Sequence, residues 1–473
     1  GMTDSLNAFL GQKTSYEDSP DKVRLETGDN QGVSSKSGVS GNSEAKFERY
    51  TENLLEEIVS KKNLYEAYKK VKKNNGSHGV DGMEVTDLLS YLKRNVDKLI
   101  KDLLEEEYQP NPVRRVEISK FSGGTRLLGI PTVLDRTIQQ AIKIVIEKYF
   151  EPNFSNHSYG FRPGRSTHDA LKRARTYIEE GHNIAVDMDI AKFFDNINHD
   201  KLMTKVAKRI SDKRVLRLIR KYLNSGIMLK GMLVKNDKGA PQGGPLSPIL
   251  SNIMLDSLDK ELERRGHAFV RYADDVTIYV KSKRAGKRVL KSTTKYLSKE
   301  LKLVVNQEKS AVDTVTRRKF LGYSFYYSET GVHFRVHKKS FVKLKEKIRN
   351  ITNRNISMSF DLRMKKLKDL VIGWVNYYKL ANMKGKLKRL DGWIRRRLRA
   401  SIWKTWKKVK TKFRNLKKLG ISMNKAWEYA NTRKGYWRIS RSPILSKSIT
   451  NHKLIQRGYI SFISQYSKVK LSK

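Results

Sequence analysis

HAFVRYADDVTIYV, residues 267–280, reads as two strands with a pair of carboxylates between them. AFVRY and VTIYV are rich in β-branched and aromatic residues, which leaves Ala273-Asp274-Asp275 for the connection. Adjacent carboxylates at a tight strand connection repel each other. That is costly without a cation, and a divalent metal removes the conflict. Aspartate is also an ordinary turn residue, so the pair alone does not settle a function.

A second acidic strand changes the weight of the first. In NIAVDMDIAKFFDNINHD, residues 183–200, the alternation sets Ile184, Val186, Met188 and Ile190 on one face and Asp187 and Asp189 on the other. Such a strand would bring one of these aspartates beside Asp274. Two or three carboxylates together suit two Mg²⁺ ions about 3.5–4 Å apart, an arrangement fitted to displacement at phosphorus. Periodicity does not choose between Asp187 and Asp189.

The bulk composition points the same way. Lys and Arg total 98 against 48 Asp and Glu, a net charge of +50 in 473 residues. That imbalance implies a polyanionic partner. No run approaches the ~18 apolar residues of a membrane span and no signal peptide is visible, so nucleic acid in the cytoplasm is expected rather than a membrane. With no cysteine, disulfides and thiolate-bound zinc are excluded. The apolar fraction of 38% is enough for real cores. Residues 1–44 are rich in Ser, Gly, Asp and Asn without period and read as a disordered arm. Residues 45–335 alternate helical and strand-like patterns. Beyond about residue 336 the chain is mostly helical and very basic, and all six tryptophans lie beyond residue 373.

Several blocks carry a resemblance. Tyr272-Ala273-Asp274-Asp275 resembles the signature of reverse transcriptases, and the other blocks follow that family's order. VRRVEISKFSGGTRLLGIPTVLDRTIQQAI (113–142) resembles the fingers block, where a Gly123-Gly124 turn would place Lys120 and Arg126 near triphosphate oxygens. HSYGFRPGRSTHDAL (157–171) resembles the next. APQGGPLSPILSNIMLDSLDKELERRG (240–266) combines a tight glycine loop with a helix that starts near Pro245, and the resemblance gives Gln242 a contact to the incoming nucleotide. LKLVVNQEKSAV (301–312) supplies Lys309 for pyrophosphate or triphosphate, and FLGYSFYY (320–327) resembles the last palm block. In the family a catalytic Asp lies five residues before a bulky aromatic that polices the sugar 2′ position. Asp189 and Phe194 have that spacing; Asp187 would put Lys192 there. The resemblance therefore implies Asp189 and Asp274 as metal ligands, Asp275 beside them, and the Ile190 carbonyl as a further donor.

Two further segments are similar to group II intron-encoded enzymes. NLYEAYKKVKKNNGSHGVDGMEV (63–85) resembles their N-terminal extension. LVIGWVNYYKL (370–380) with LDGWIRRRLRASIWKTWKK (390–408) resembles their maturase, or X, domain, which doubles as the polymerase thumb. From Lys384 to Lys418 there are sixteen Lys or Arg and one acid, Asp391. Leu390, Ile394, Leu398 and Ile402 form an apolar stripe, leaving Arg395, Arg396, Arg397 and Arg399, with Lys404, Lys407 and Lys408 beyond them, as candidates for an RNA surface. Trp374 and Trp393 are expected in the core.

The resulting expectation is an α+β right-hand polymerase. It has fingers and an antiparallel-sheet palm over 45–335, a helical thumb and maturase domain over 336–420, and a basic extension over 421–473. The implied activity is Mg²⁺-dependent synthesis of DNA from dNTPs on an RNA template and DNA primer, with Mn²⁺ as a substitute. It is joined to binding of the intron RNA and assistance of its splicing and mobility; the oligomeric state stays open. A maturase with little polymerase activity, or a retron or defence enzyme, are the rivals. The three aspartates argue against the first and the maturase-like segment against the second. No cysteine- and histidine-bearing endonuclease motif is visible, so target-strand nicking is not expected. His333 and His337 are expected to be structural.

Overall fold

The computed structural model describes residues 51–119, 125–226, 234, 235, 241, 242 and 244–472. The disordered-arm expectation, Lys120 and the Gly123-Gly124 turn thus lie outside the described residues. By compactness the chain divides into Gly1–Ala170 with Ile184–Val312, and Leu171–Asn183 with Asp313–Lys473. Among the described residues no helix is long and apolar enough to cross a membrane.

The first unit opens with helices α1 (Leu54–Ile58), α2 (Lys61–Asn74) and α3 (Leu88–Leu104). Ser60 caps α2 by accepting from the Asn63 amide, and α3 buries Leu88, Leu92, Val96, Leu99 and Leu103, the three- and four-residue spacing of one helix face. Strands β1 (Arg114–Ser119) and β2 (Thr125–Ile130) form an antiparallel hairpin. Helix α4 (Val133–Phe150), started by the Thr132 cap, is buried on nearly every face and packs on α2.

Helix α5 (Thr167–Glu179) comes next in the chain and falls largely in the second unit. The first unit resumes with β3 (Ile184–Met188), α6 (Phe193–Asn196), α7 (His199–Ala207) and α8 (Lys213–Asn224). The short pair β4 (Val234–Lys235) and β5 (Pro241–Gln242) precedes α9 (Leu246–Arg264), whose whole first half is buried against α4 and α7. Strands β6 (Ala268–Tyr272) and β7 (Asp275–Val280), helix α10 (Lys283–Tyr296) and β8 (Ala311–Thr314) follow. The main sheet runs β6–β7–β3–β8, with β7 antiparallel to both neighbours. Its interior residues Val186, Phe269, Val276 and Ile278 join one continuous core with α9.

The rest of the second unit begins with the antiparallel hairpin of β9 (Tyr323–Ser328) and β10 (Gly331–Val336). Before it, Leu321 and Gly322 turn the chain with positive φ (51° and 85°), and a Cβ at Gly322 would lie 2.3 Å from the Tyr378 hydroxyl. His337 then caps α11 (Lys338–Ile351) by accepting from the Lys339 amide, and His333 bonds Thr330, so both histidines make local structural bonds. Helices α12 (Phe360–Tyr378), α13 (Lys384–Thr405), α14 (Val409–Lys418), α15 (Met423–Ala430), α16 (Tyr436–Ile439), α17 (Pro443–Ser448), α18 (Asn451–Gln456) and α19 (Phe462–Leu471) complete it. The apolar stripe of α13 is buried at Leu390, Ile394 and Leu398. Trp403 is the tryptophan sunk in the core at 1% exposure; Trp374 and Trp393, expected there, are half-buried.

The one acid of the basic stretch has a fixed structural task. Asp391 is buried on α13 and accepts from the Tyr459 hydroxyl (2.7 Å) and from the amides of Phe462 (2.8 Å) and Ile463 (2.9 Å). It satisfies the free N–H groups of α19's first turn and so ties that helix to α13. Asp391→Ala is expected to lower stability by about 2–4 kcal/mol, since two buried donors and one part-buried donor would be left without their charged acceptor. Urea unfolding followed by tryptophan fluorescence reads this unit, because every tryptophan lies beyond residue 373. An unchanged midpoint would contradict the assignment.

Candidate active site

Tyr272 and Asp275 pair across the end of β6 and β7, so Ala273 and Asp274 form a two-residue hairpin loop. Ala273 takes φ +56°, a conformation that a residue with a Cβ adopts at a cost of roughly 1–2 kcal/mol. The loop carries Asp274, half-buried, and β7 begins with Asp275, exposed.

What holds this strained loop is a single buried side chain. Arg271 is 0% exposed and all five of its guanidinium donors are used. Nε and Nη2 each bond an Asp259 oxygen at 2.8 Å, Nη1 bonds the Ala273 carbonyl (2.8 Å) and Asn252 (3.0 Å), and Nη2 also bonds Ser158 (2.9 Å). Burial pushes the Asp259 carboxyl up, and the bidentate Arg271 pulls it back. Asn252 in turn donates to the Gly160 carbonyl. A Cβ on Gly160 would lie 2.5 Å from the Ala273 nitrogen, so only glycine lets the 157–163 segment lie against the hairpin.

Strand β3 runs antiparallel to β7 from Ile184 opposite Val280 to Met188 opposite Val276. Asp189 lies one residue beyond the last β3–β7 pair, and Asp275 one residue before it on β7. The two strand aspartates differ: Asp187 accepts from the Thr277 hydroxyl at 2.9 Å inside the sheet, whereas Asp189 lies past its end. There the Asp189 amide donates to Ser310 Oγ and its carbonyl accepts from the Asn306 amide. Ile190 bridges Val305 through bonds made by the flanking residues, so that bridge does not use the Ile190 carbonyl. Lys309 is exposed on the same 306–310 turn, ahead of β8. Phe194 is half-buried, its ring edge-on to Phe193 at 5.0 Å.

Among the described residues no three His, Asp or Glu side chains are gathered as a preformed metal cluster. The donors named from the sequence, the carboxylates of Asp189, Asp274 and Asp275 and the Ile190 carbonyl, are all oxygens, the donor type that suits a hard divalent cation. Of the expected nucleotide contacts, Gln242 lies on β5 opposite Val234 and Arg126 on β2 opposite Ile118, while both side chains lie outside the described portion.

A cleft of about 460 Å³ opens beside Tyr272, bounded by Phe161, Gly244 and Pro245. It contains residues that the sequence reading passed over. Arg162 and Arg165 are occupied in holding carbonyls of the 155–158 loop. Arg136 is not: buried on α4, it gives Nη2 to the Ser77 carbonyl, and its Nε and Nη1 have no partner among the described residues. Burial pulls its pKa down to about 10, and burial also lowers that of Lys143 two helical turns further along α4. Buried, unsatisfied N–H donors on a cation point to an anion. Arg136 was within the quoted fingers block, but nothing in a string of letters marks it as buried.

The arginines of the basic helix α13 also bond within the second unit. Arg396 stacks on Trp437 at 3.5 Å and bonds Ser440 and the Trp437 carbonyl; Arg397 bonds Thr352; Arg399, 8% exposed, bonds the Ile449 carbonyl and Asn451. These three guanidiniums brace α13 against its neighbours; Arg395, Arg396 and Arg397 are half-buried and Arg399 is buried. Lys407 and Lys408 are exposed, and Lys404 reaches Asn355.

A sheet end carrying carboxylates beside a cationic cleft is the layout of an enzyme that works on nucleotides and their polymers. Residues 118–325 match the model for reverse transcriptases (RNA-dependent DNA polymerases), and residues 342–420 match the maturase-specific domain of group II introns. Protein YkfC of Escherichia coli (strain K12) is 33% identical over 304 residues, covering 56% of this chain and 80% of that protein. The group II intron-encoded protein LtrA of Lactococcus lactis subsp. cremoris is 29% identical over 359 residues, 62% of this chain and 60% of LtrA. An uncharacterized 91 kDa protein in the cob intron of Schizosaccharomyces pombe is 39% identical over 219 residues, 45% of this chain and 26% of that protein. The chain belongs to the group II intron-encoded reverse transcriptases and carries both their polymerase domain and their maturase domain.

Gly160→Ala is expected to push the hairpin aside and slow primer extension by roughly 10- to 100-fold, because displacement of a reacting group by about 1 Å costs that much. Affinity for RNA should stay near that of the parent. Unimpaired extension by the variant would show that the approach of residue 160 to Ala273 does not position Asp274.

Proposed function

We propose that residues 45–335 are the fingers and palm of a right-hand polymerase, that 336–420 form its thumb and maturase domain, and that the enzyme extends a DNA primer on RNA with dNTPs at Asp189, Asp274 and Asp275. The observation that carries this reading is the strained Ala273-Asp274 loop, clamped by a wholly buried arginine, with Asp189 one register step beyond the last β3–β7 pair. Asp189, Asp274 and the Ile190 carbonyl would hold the ions. Charge neutralisation at the attacking 3′-hydroxyl and the leaving pyrophosphate is the chemistry that two Mg²⁺ ions, or Mn²⁺ in their place, would supply when bound.

The protein's own groups then position and select. Lys309, Lys120 and Arg126 would take triphosphate oxygens, and Gln242 would contact the nucleotide. Arg136 would bond a phosphate of the template through Nε and Nη1, the two nitrogens it leaves unused. Intron RNA would bind through cations and aromatic surfaces of the second unit, in the bacterial cytoplasm, assisting splicing whose chemistry belongs to the RNA.

Two mutants test this. Asp274→Ala is expected to abolish cDNA synthesis while intron binding and assisted splicing persist, because only the first needs the carboxylates. Removing one of several neighbouring carboxylates relieves repulsion, so the fold should survive. Primer extension and splicing on one preparation, with circular dichroism as the folding check, decide it. Persistent Mg²⁺-dependent synthesis would remove Asp274 from the site.

Phe194→Ala is expected to relax rejection of ribonucleotides, since a ring beneath the sugar excludes a 2′-hydroxyl by contact alone. Incorporation of dNTPs and rNTPs measured in parallel reads this. Unaltered selectivity in an active variant would take Phe194 out of that role.

A further inference from the structure

The second unit holds a groove of about 720 Å³, within the ~300–1,000 Å³ range of ligand sites, lined by seven Lys or Arg and by no Asp or Glu. Three of the cations are engaged by the protein: Arg363 bonds the carbonyls of Ile351, Asn353 and Ile356, Lys453 those of Leu419 and Ser448, and Lys404 bonds Asn355. The other four, Arg354, Lys407, Lys418 and Arg457, have no ion-pair partner among the described residues. Arg457 lies over the Phe360 ring at 5.1 Å. Between these cations the wall is apolar: Ile356, 46% exposed, with half-buried Ile402 and Trp406.

Four cations gathered without an acid repel one another, and a polyanion relieves that. Phosphate alone would leave the apolar wall wet, whereas a base has a flat face to cover it. Paired RNA keeps its bases inside the helix, but unpaired residues of loops and bulges can be splayed into a pocket. An acidic peptide would satisfy the cations and leave Trp406 unused.

We propose that this groove seats an unpaired nucleotide of an RNA strand, its base against Trp406, Ile356 and Ile402 and its flanking phosphates on Arg354, Lys407, Lys418 and Arg457. The proposal rests on the reading of this chain as an RNA-binding protein and places one contact that the bracing arginines of α13 do not supply.

The test uses the full chain and fluorescence anisotropy with a short single-stranded RNA of mixed sequence, and with the same strand made abasic. Lys407→Ala with Lys418→Ala should weaken both strands about tenfold and flatten the log–log salt slope by roughly 1.4, about 0.7 for each phosphate no longer neutralised. Trp406→Ala should weaken the base-bearing strand by about fivefold or more, as expected when one stack is removed, and leave the abasic strand as it was. Trp406→Phe should restore most of the affinity, which separates stacking from misfolding. Ile356→Glu, at an exposed position, should weaken the base-bearing strand with no change in the unfolding midpoint. Parent-like affinity and slope in all four variants would overturn the site while leaving RNA binding intact. Equal weakening of both strands by Trp406→Ala would overturn the base contact, and so would an RNA duplex or an acidic peptide that competes as well as the single strand. A parent protein that binds neither RNA would bring down the wider reading as well.

Discussion

Arg271 and Asp259 are both wholly buried, and their ion pair anchors the loop that carries Asp274. Withdrawing two charges from water costs several kcal/mol each, and an apolar pair of similar size is often as stable. The pair is therefore best understood through geometry rather than stability. A planar guanidinium with five directed donors can hold the Ala273 carbonyl, the α9 residues Asn252 and Asp259, and Ser158 of the preceding loop in one fixed arrangement. Lysine would offer a point charge and no such fork. The +56° φ of Ala273 persists because the chain around it is over-determined in this way.

Much of this was legible in the letters. The alternation in β3 and the paired strands around Asp274-Asp275 specified an antiparallel sheet end with carboxylates, because a period of two leaves little else for those residues to do. The choice between Asp187 and Asp189 was not legible from period, since both share a face; the resemblance supplied it through the five-residue spacing from Asp189 to Phe194. The sheet's end lies between the two aspartates: Thr277 engages Asp187, and Asp189 meets the 306–310 turn. Arg271 could not have been singled out at all. It sits in a strand as one basic residue among 98, and only burial reveals that it has no solvent.

The same limit explains the arginines of α13. A helix with one apolar stripe and charge elsewhere predicts a solvated cationic face, provided that nothing packs on the other sides. Here the segments from Trp437 to Asn451 do, and they present carbonyls and hydroxyls rather than acids. Guanidinium groups are suited to that surrounding, because they bond several carbonyls at once without an anion. The near absence of acids thus had two readings, a phosphate surface or an internal brace, and the residue types alone do not separate them. Asp391, the single acid, was a plain exception in the sequence and proved to be the anchor of α19.

The Arg271 cluster joins residues far apart along the chain: Ser158 lies 113 positions before it, and Asp259 twelve. Closing so long a loop costs chain entropy before any bond returns it, and contacts of this separation slow folding. A guanidinium cannot enter the interior ahead of its partners without giving up its water for nothing. During synthesis the 157–160 segment leaves the ribosome early and must wait, its Gly160 carbonyl without Asn252 and its Ser158 hydroxyl without Arg271, until the hairpin arrives. The carboxylate loop is thus fixed only when Arg271 emerges, more than a hundred residues after the segment to which it must be tied.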